Sequence, residues 1–233
     1  METADKLYKE IVTALQENRS EVQRQPMEKY MKNQFSFYGI KTPERKRLLQ
    51  CVLKKFNQLS YIETLQIVEL LYSEKERECH YAALTILSHY KEPIPLSSIG
   101  LYKNLITTHS WWDTVDMISS NLCGRYFQVH SDQLPTITKK WAQSYDLWVR
   151  RASLLFQLKM KEETDEGLLY DTILTLRHEK EFFIEKAIGW ALREYSKTNP
   201  ASAAAFIRKH PLRPLSRREG LKWIKSKGLD VNL

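Results

Sequence analysis

The stretch Ser110-Trp111-Trp112-Asp113-Thr114-Val115-Asp116 puts two tryptophans and two carboxylates side by side. Such a group can stabilise developing positive charge, the indole faces by cation–π attraction and the carboxylate by Coulomb attraction. Asp116 is the sharper candidate of the two acids, because it stands where the chain otherwise repeats a small residue. Ala82, Asp116, Ala152, Ala187 and Gly220 share one column when the later segments are laid over one another, at intervals of 34, 36, 35 and 33 residues. Trp112, Trp148 and Phe183 come four residues before that column, and Leu155, Trp190 and Trp223 three residues after it. This i, i+3, i+4 spacing places the aligned positions on one helix face. A small residue there lets a neighbouring helix approach closely, whereas a carboxylate must be paired, hydrated or used. The alternative is an Asp that merely caps or salt-bridges near the helix start.

The elements that must carry these residues follow from the same period. Intervals near 35 residues belong to stacked helix pairs, and long strand-like alternation is absent, so the chain reads as all-α, a HEAT-like helical-repeat solenoid forming one domain over 1–233. The predicted helices are 3–16, 18–32 with a break near Pro26, and 45–56 after Thr42 as N-cap and Pro43 at the first helical position. Next come 60–72, 76–90, 97–107, 111–126, 135–144, 147–160, 165–176, 182–195, 200–209 and 216–227. The turns containing proline read as corners between repeats.

Charge supplies a second line. Lys and Arg number 36 against 28 Asp and Glu, a net +8, and the last 33 residues hold eight basic residues against Glu219 and Asp230. Basic residues also gather just before the small-residue column, as Arg150-Arg151, Lys186 and Arg217-Arg218. In a curved stack one position per repeat lines one concave surface, so such residues would follow an extended polyanion, with duplex DNA fitting the description. A solvated basic face without a ligand is the plainer alternative. The odd count of cysteines, Cys51, Cys79 and Cys123, without C-x-x-C, points to reduced thiols, and the six scattered histidines give no metal-ligand spacing. The N-terminus lacks signal-peptide character and no apolar run approaches a membrane span, so the reading is a soluble cytoplasmic protein, nucleoid-associated when bound to DNA.

Several segments carry a resemblance. Residues Met27-Glu28-Lys29-Tyr30-Met31-Lys32-Asn33, Gly39-Ile40-Lys41-Thr42-Pro43-Glu44-Arg45, the stretch from Ser110 to Asp116, Arg151-Ala152 with Phe156-Gln157-Leu158-Lys159, and Lys180 through Tyr195 together resemble the AlkD family of bacterial DNA alkylation repair glycosylases. The resemblance implies a HEAT-like fold with a concave, basic DNA-binding surface, and hydrolysis of the N-glycosidic bond of cationic N3- or N7-alkylated purines in duplex DNA by a monomer without metal or organic cofactor. It implies Trp112, Asp116 and Trp190 as the catalytic trio. It also implies Arg151 as a DNA-contacting arginine beside them, and Tyr30 and Lys41 near the opposite strand. Lys41 stands where the family pattern has glutamine. Arg150, Lys159, Lys186, Arg193, Arg217 and Arg218 complete the expected DNA-binding set.

The chemistry can be stated from the residues. An alkylated purine is already a good leaving group, and its departure leaves positive charge on the sugar, as in other glycosyl transfers. Asp116 would stabilise that charge and orient water, and the two tryptophans would face the sugar and the cationic base. No residue needs to protonate the base. Two rivals remain open at this level: a non-catalytic helical-repeat protein that binds DNA of unusual structure, and a scaffold for acidic protein partners. Trp141, Trp148 and Trp223 read as core, Trp111 is ambiguous, Asp113 serves the helix start, and Glu181 with Glu185 reads as a solvated face.

Overall fold

A computed structural model describes residues 2–56, 58–90 and 93–229, with the side chain of Glu2 excepted. Met1 of the N-terminal reading and Asp230 of the basic tail lie outside the described residues. Backbone contacts divide the chain into two compact units, residues 1–92 and 93–233. Both are helical, and among the described residues the only strand-like pairing is one isolated bridge between Ser36 and Glu76.

The first unit holds α1 (Glu2–Glu17), α2 (Glu21–Tyr30), α3 (Thr42–Leu53), α4 (Tyr61–Tyr72) and α5 (Arg77–His89). In α1, Leu7, Ile11 and Leu15 recur every four residues and are buried, giving the helix a single apolar stripe to set against α3 and α4. Ser60 and Glu63 start α4 as a reciprocal capping box. Pro26 does not break its segment: it sits inside α2, a helix with no buried residue, so it costs one backbone bond on a water-facing element. Lys41, with extended φ and ψ, is the N-cap of α3, and Thr42 and Pro43 occupy the first two helical positions. The turn before it is fixed from two sides. Buried Glu78 accepts the N–H groups of Tyr38, Gly39 and Ile40 at 3.0, 2.9 and 3.0 Å. Gly39 has φ +87, and a Cβ there would fall 2.2 Å from the Ser20 carbonyl oxygen, so only glycine fits. Tyr30, at the end of α2, and Lys41 are both exposed.

The second unit is a succession of helix pairs: α6 (Ser98–Thr107) with α7 (Trp112–Met117) and α8 (Gly124–Val129), α9 (Leu134–Ala142) with α10 (Leu147–Leu155), α11 (Glu166–Leu176) with α12 (Phe182–Tyr195), and α13 (Pro200–Lys209) with α14 (Pro214–Ser226). The later member of each pair stacks on that of the next, α7 on α10, α10 on α12 and α12 on α14. Asp146, Asp165 and Asn199 cap α10, α11 and α13 through their side-chain oxygens. The column of small residues is where the helices meet: Ala152 and Ala187 are fully buried, and a Cβ on Gly220 would reach 3.2 Å from Leu192 Cβ.

Two helices of the second unit also differ from the expectation. The segment predicted as one helix over 111–126 contains a six-residue π turn, Ile118–Cys123, between α7 and α8. There Ser119 and Ser120 donate their hydroxyls to the carbonyls of Val115 and Asp116 at 2.6 and 2.7 Å. The helix predicted over 147–160 stops at Leu155 and is followed by a separate turn, Lys161–Glu163, where Lys161 has φ +51.

Candidate functional site

Asp116 lies in the second turn of α7, one turn beyond Trp112 and on the same face. Its carboxylate meets the guanidinium of Arg151, from α10, in a two-bonded fork: Arg151 Nε to Oδ1 at 2.7 Å and Nη2 to Oδ2 at 2.8 Å. The third guanidinium nitrogen of Arg151, Nη1, donates to the carbonyl of Phe183 in the first turn of α12. Three successive stacked helices, α7, α10 and α12, are thus tied at one point. Arg151 is buried, with 5% of its side chain exposed, while Asp116 keeps 14%. Burial pushes the Asp116 carboxyl up from its ordinary value, the Arg151 fork pulls it back down, and the like charge of Asp113 adds to the rise.

Bidentate pairing leaves each carboxylate oxygen a further lone-pair direction, so Asp116 remains able to accept a hydrogen bond from water. Beside Arg151 stands an aromatic wall. Trp111, Trp148 and Phe183 touch one another, with ring centroids 5.5, 5.2 and 4.9 Å apart, and the Arg151 guanidinium lies 5.9 Å from the Phe183 ring. Trp111 Nε1 is buried without a hydrogen-bond partner. Trp112 and Trp190 are both half-buried, and Trp190 packs on the core two turns beyond Phe183 on α12.

The other expected residues are distributed as follows. Arg150 points away from Asp116 and spends all three guanidinium nitrogens inside the protein, on Glu179 at 2.8 and 3.0 Å and on the Ser144 and Tyr145 carbonyls at 2.9 and 2.8 Å. Lys186 and Arg193 converge on Glu219 at 3.3 and 3.1 Å, and Lys222 joins them at 2.6 Å. Glu219 fits there because the facing residue is Gly189, whose added Cβ would come within 2.4 Å of Glu219 Cβ. Burial pushes the Glu219 carboxyl up, but its hydrogen bond and charge contacts with Lys222 and Lys186 outweigh this and hold it below the usual carboxylate range. Lys159 is exposed and donates to Asn121 Oδ1 in the π turn. Arg217 donates to the Ile207 carbonyl at 2.8 Å, and Arg218 is exposed. Tyr30 and Lys41 belong to the first unit, where both are exposed.

Some residues were misread or missed. Glu185 is not on a solvated face: it is buried and bonded to Arg213 at 2.7 Å, because α14 covers that side of α12. Trp148, read as core, is half-buried and packs its ring against Trp111 and Phe183. Trp141 is buried against Phe156 as expected, and Trp223 packs half-buried on the core. Among the described residues no group of three His, Cys, Asp or Glu side chains is placed to hold a metal ion, and no helix is long and apolar enough to cross a membrane.

Fold and site together define an all-α helical-repeat protein with a shielded carboxylate–guanidinium pair, its guanidinium beside an aromatic cluster. Residues 11–224 match the family model for DNA alkylation repair enzymes. A solved structure described as a predicted DNA alkylation repair enzyme from Enterococcus faecalis is 35% identical and superposes with a TM-score of 0.83, over 88% of this chain and 96% of that one. A search of curated proteins found no match. The chain belongs to the DNA alkylation repair enzyme family.

Proposed function

We propose that the protein is a DNA glycosylase that hydrolyses the N-glycosidic bond of cationic N3- or N7-alkylated purines in duplex DNA, acting as a monomer without metal or organic cofactor. The observation that carries this reading is the Asp116–Arg151 pair, a carboxylate held by a guanidinium fork in a shielded site on the same helix face as Trp112. Departure of the base puts positive charge on the deoxyribose, and an anion in a partly dehydrated site stabilises that charge far more than one in bulk water. Arg151 holds the carboxylate in one orientation and opposes its protonation. The lone-pair directions left free on Asp116 position the attacking water. Trp112 and Trp190 offer π faces to the sugar and the cationic base, worth about 0.5 to 2 kcal/mol each.

Arg217, Arg218, Lys159 and the Lys186–Arg193 group are proposed contacts to the DNA backbone on a basic concave face, and Tyr30 and Lys41 are proposed contacts from the first unit. Arg151 acts through Asp116 rather than as a free phosphate ligand. No side chain is assigned to protonate the leaving base, so the reading makes a sharp demand on substrate charge. The test is release of free base from two duplexes, one carrying 7-methylguanine and one carrying uracil, a neutral base. Release of 7-methylguanine alone is expected. Release of uracil at a similar rate contradicts the mechanism, and tight binding of both duplexes with release of neither identifies a non-catalytic DNA binder.

A further inference from the structure

Tyr145 is the most exposed large hydrophobic side chain among the described residues, fully open to solvent between α9 and α10. A single exposed ring is ordinary. Here, however, the backbone beneath it is clamped. Ser144 N donates to the Trp141 carbonyl at 3.1 Å, Asp146 caps Trp148 and Val149 at 2.8 and 2.9 Å, and Arg150 Nη1 holds the carbonyls of both Ser144 and Tyr145. The rest of the Arg150 guanidinium closes on Glu179, in the turn before α12. Three residues beyond Glu179 comes Phe182, also exposed, with its ring against Phe183 at 5.4 Å. Phe183 in turn belongs to the aromatic wall and accepts the hydrogen bond from Arg151. One clasp therefore fixes two turns that each present an exposed ring, and the second ring is continuous with the Asp116 site.

We propose that Tyr145 and Phe182 form a recognition ledge that packs on the sugar–phosphate backbone of duplex DNA beside the nucleotide at Asp116. Arg150 is the clasp that positions this ledge and not a phosphate ligand. This rests on the glycosylase reading above. DNA is the occupant because the chain carries a net charge of +8 and the ledge continues the aromatic wall of the proposed lesion site. An aromatic ring covers the apolar face of a deoxyribose, and the phenol hydroxyl can donate to a phosphate oxygen.

The clasp and a phosphate contact make opposite predictions. A phosphate-binding Arg150 would lose about 0.9 from the slope of log affinity against log salt when replaced by Gln, and Glu179→Gln, by freeing it, would tighten binding. In the clasp both Arg150→Gln and Glu179→Gln weaken binding and leave the slope unchanged. The experiment measures affinity for a duplex carrying one 7-methylguanine over a range of salt, with melting temperature and sedimentation as controls. It uses the full chain and the variants Tyr145→Ala, Phe182→Ala, Arg150→Gln and Glu179→Gln. Each alanine variant is expected to melt like the parent and bind about fivefold or more weakly, at the low end of ring–nucleotide contacts. Binding within twofold of the parent for both alanine variants overturns the ledge, and tighter binding by Glu179→Gln overturns the clasp. A parent that self-associates through Tyr145 assigns the rings to a second copy and also overturns the proposal. No affinity of the parent for any duplex overturns the reading beneath it, a result distinguishable from failure of the ledge alone.

Discussion

Asp116 and Glu219 are both shielded carboxylates on the stacked helices of the second unit, and both are bonded to basic side chains. Asp116 has one cation, Arg151, in a fork that fixes its orientation, and that guanidinium lies 5.9 Å from the Phe183 ring. Glu219 has three, Lys186, Arg193 and Lys222, and faces the bare backbone of Gly189. Their carboxyls respond in opposite directions, Asp116 lifted above its ordinary value by burial and Glu219 held below by its ammonium neighbours. A carboxylate surrounded by surplus cations is already neutralised and serves packing. One with a single fixed partner and residual exposure keeps a field to offer an incoming cation. On the proposed function, shielding is common to the two acids and the number of partners separates them.

The comparison can be broken at several points. The largest stability effect is expected for Arg151→Ala, which leaves Asp116 shielded and unpaired and takes away the donor to Phe183; a loss of about 3 to 5 kcal/mol should appear in denaturant unfolding. Glu219→Gln should cost less, about 1 to 3 kcal/mol, because its cations are partly exposed and can turn to water. It should leave base release from saturated DNA complexes intact. An Arg151→Ala protein as stable as the parent would mean that the fork is not what holds the two helices. Trp112→Leu and Trp190→Leu should each slow single-turnover base release by about 2- to 30-fold, the kinetic equivalent of one cation–π contact, with unchanged release assigning both rings to packing.

Acidity separates the two carboxylates again. Base release needs ionised Asp116, so its rate should rise with pH through a limb above the value of about 3.9 for an unperturbed aspartate. Glu219 has a depressed folded value, so its stabilising contribution is present above the ordinary glutamate value of about 4.3 and is lost as pH falls through the folded one. On lowering the pH, activity should fade while the melting temperature still holds. A rate and a melting temperature that fall together would remove the distinction.

Much of this was legible in the sequence, and the exceptions have physical causes. Helices α12 and α13 lie where their caps and periodicity put them, Phe182–Tyr195 and Pro200–Lys209. The column of small residues marked the helix contacts at Ala152, Ala187 and Gly220, and the one acid in it, Asp116, pairs with Arg151 of the next stacked helix. The Asp116–Arg151 pairing itself spans 35 residues and is set by stacking of α7 on α10, which no local spacing reports. The π turn after Met117 carries no glycine or proline within it to announce it; its extra residue is accommodated by the Ser119 and Ser120 hydroxyls. Glu185 looked like a surface acid because the partner that buries it, Arg213, belongs to a neighbouring helix. For the same reason Arg150 looked available for phosphate, while Glu179 and two turn carbonyls already occupy it.

The most direct test is the single-turnover rate of 7-methylguanine release from saturated duplex, compared between Asp116→Asn and Glu219→Gln. The account predicts a loss of about a hundredfold or more for Asp116→Asn, the scale of removing one fixed electrostatic partner from a reacting centre, and a rate within a few-fold of the parent for Glu219→Gln. Equal losses in the two variants, or an Asp116→Asn protein that releases base at the parental rate, would contradict it.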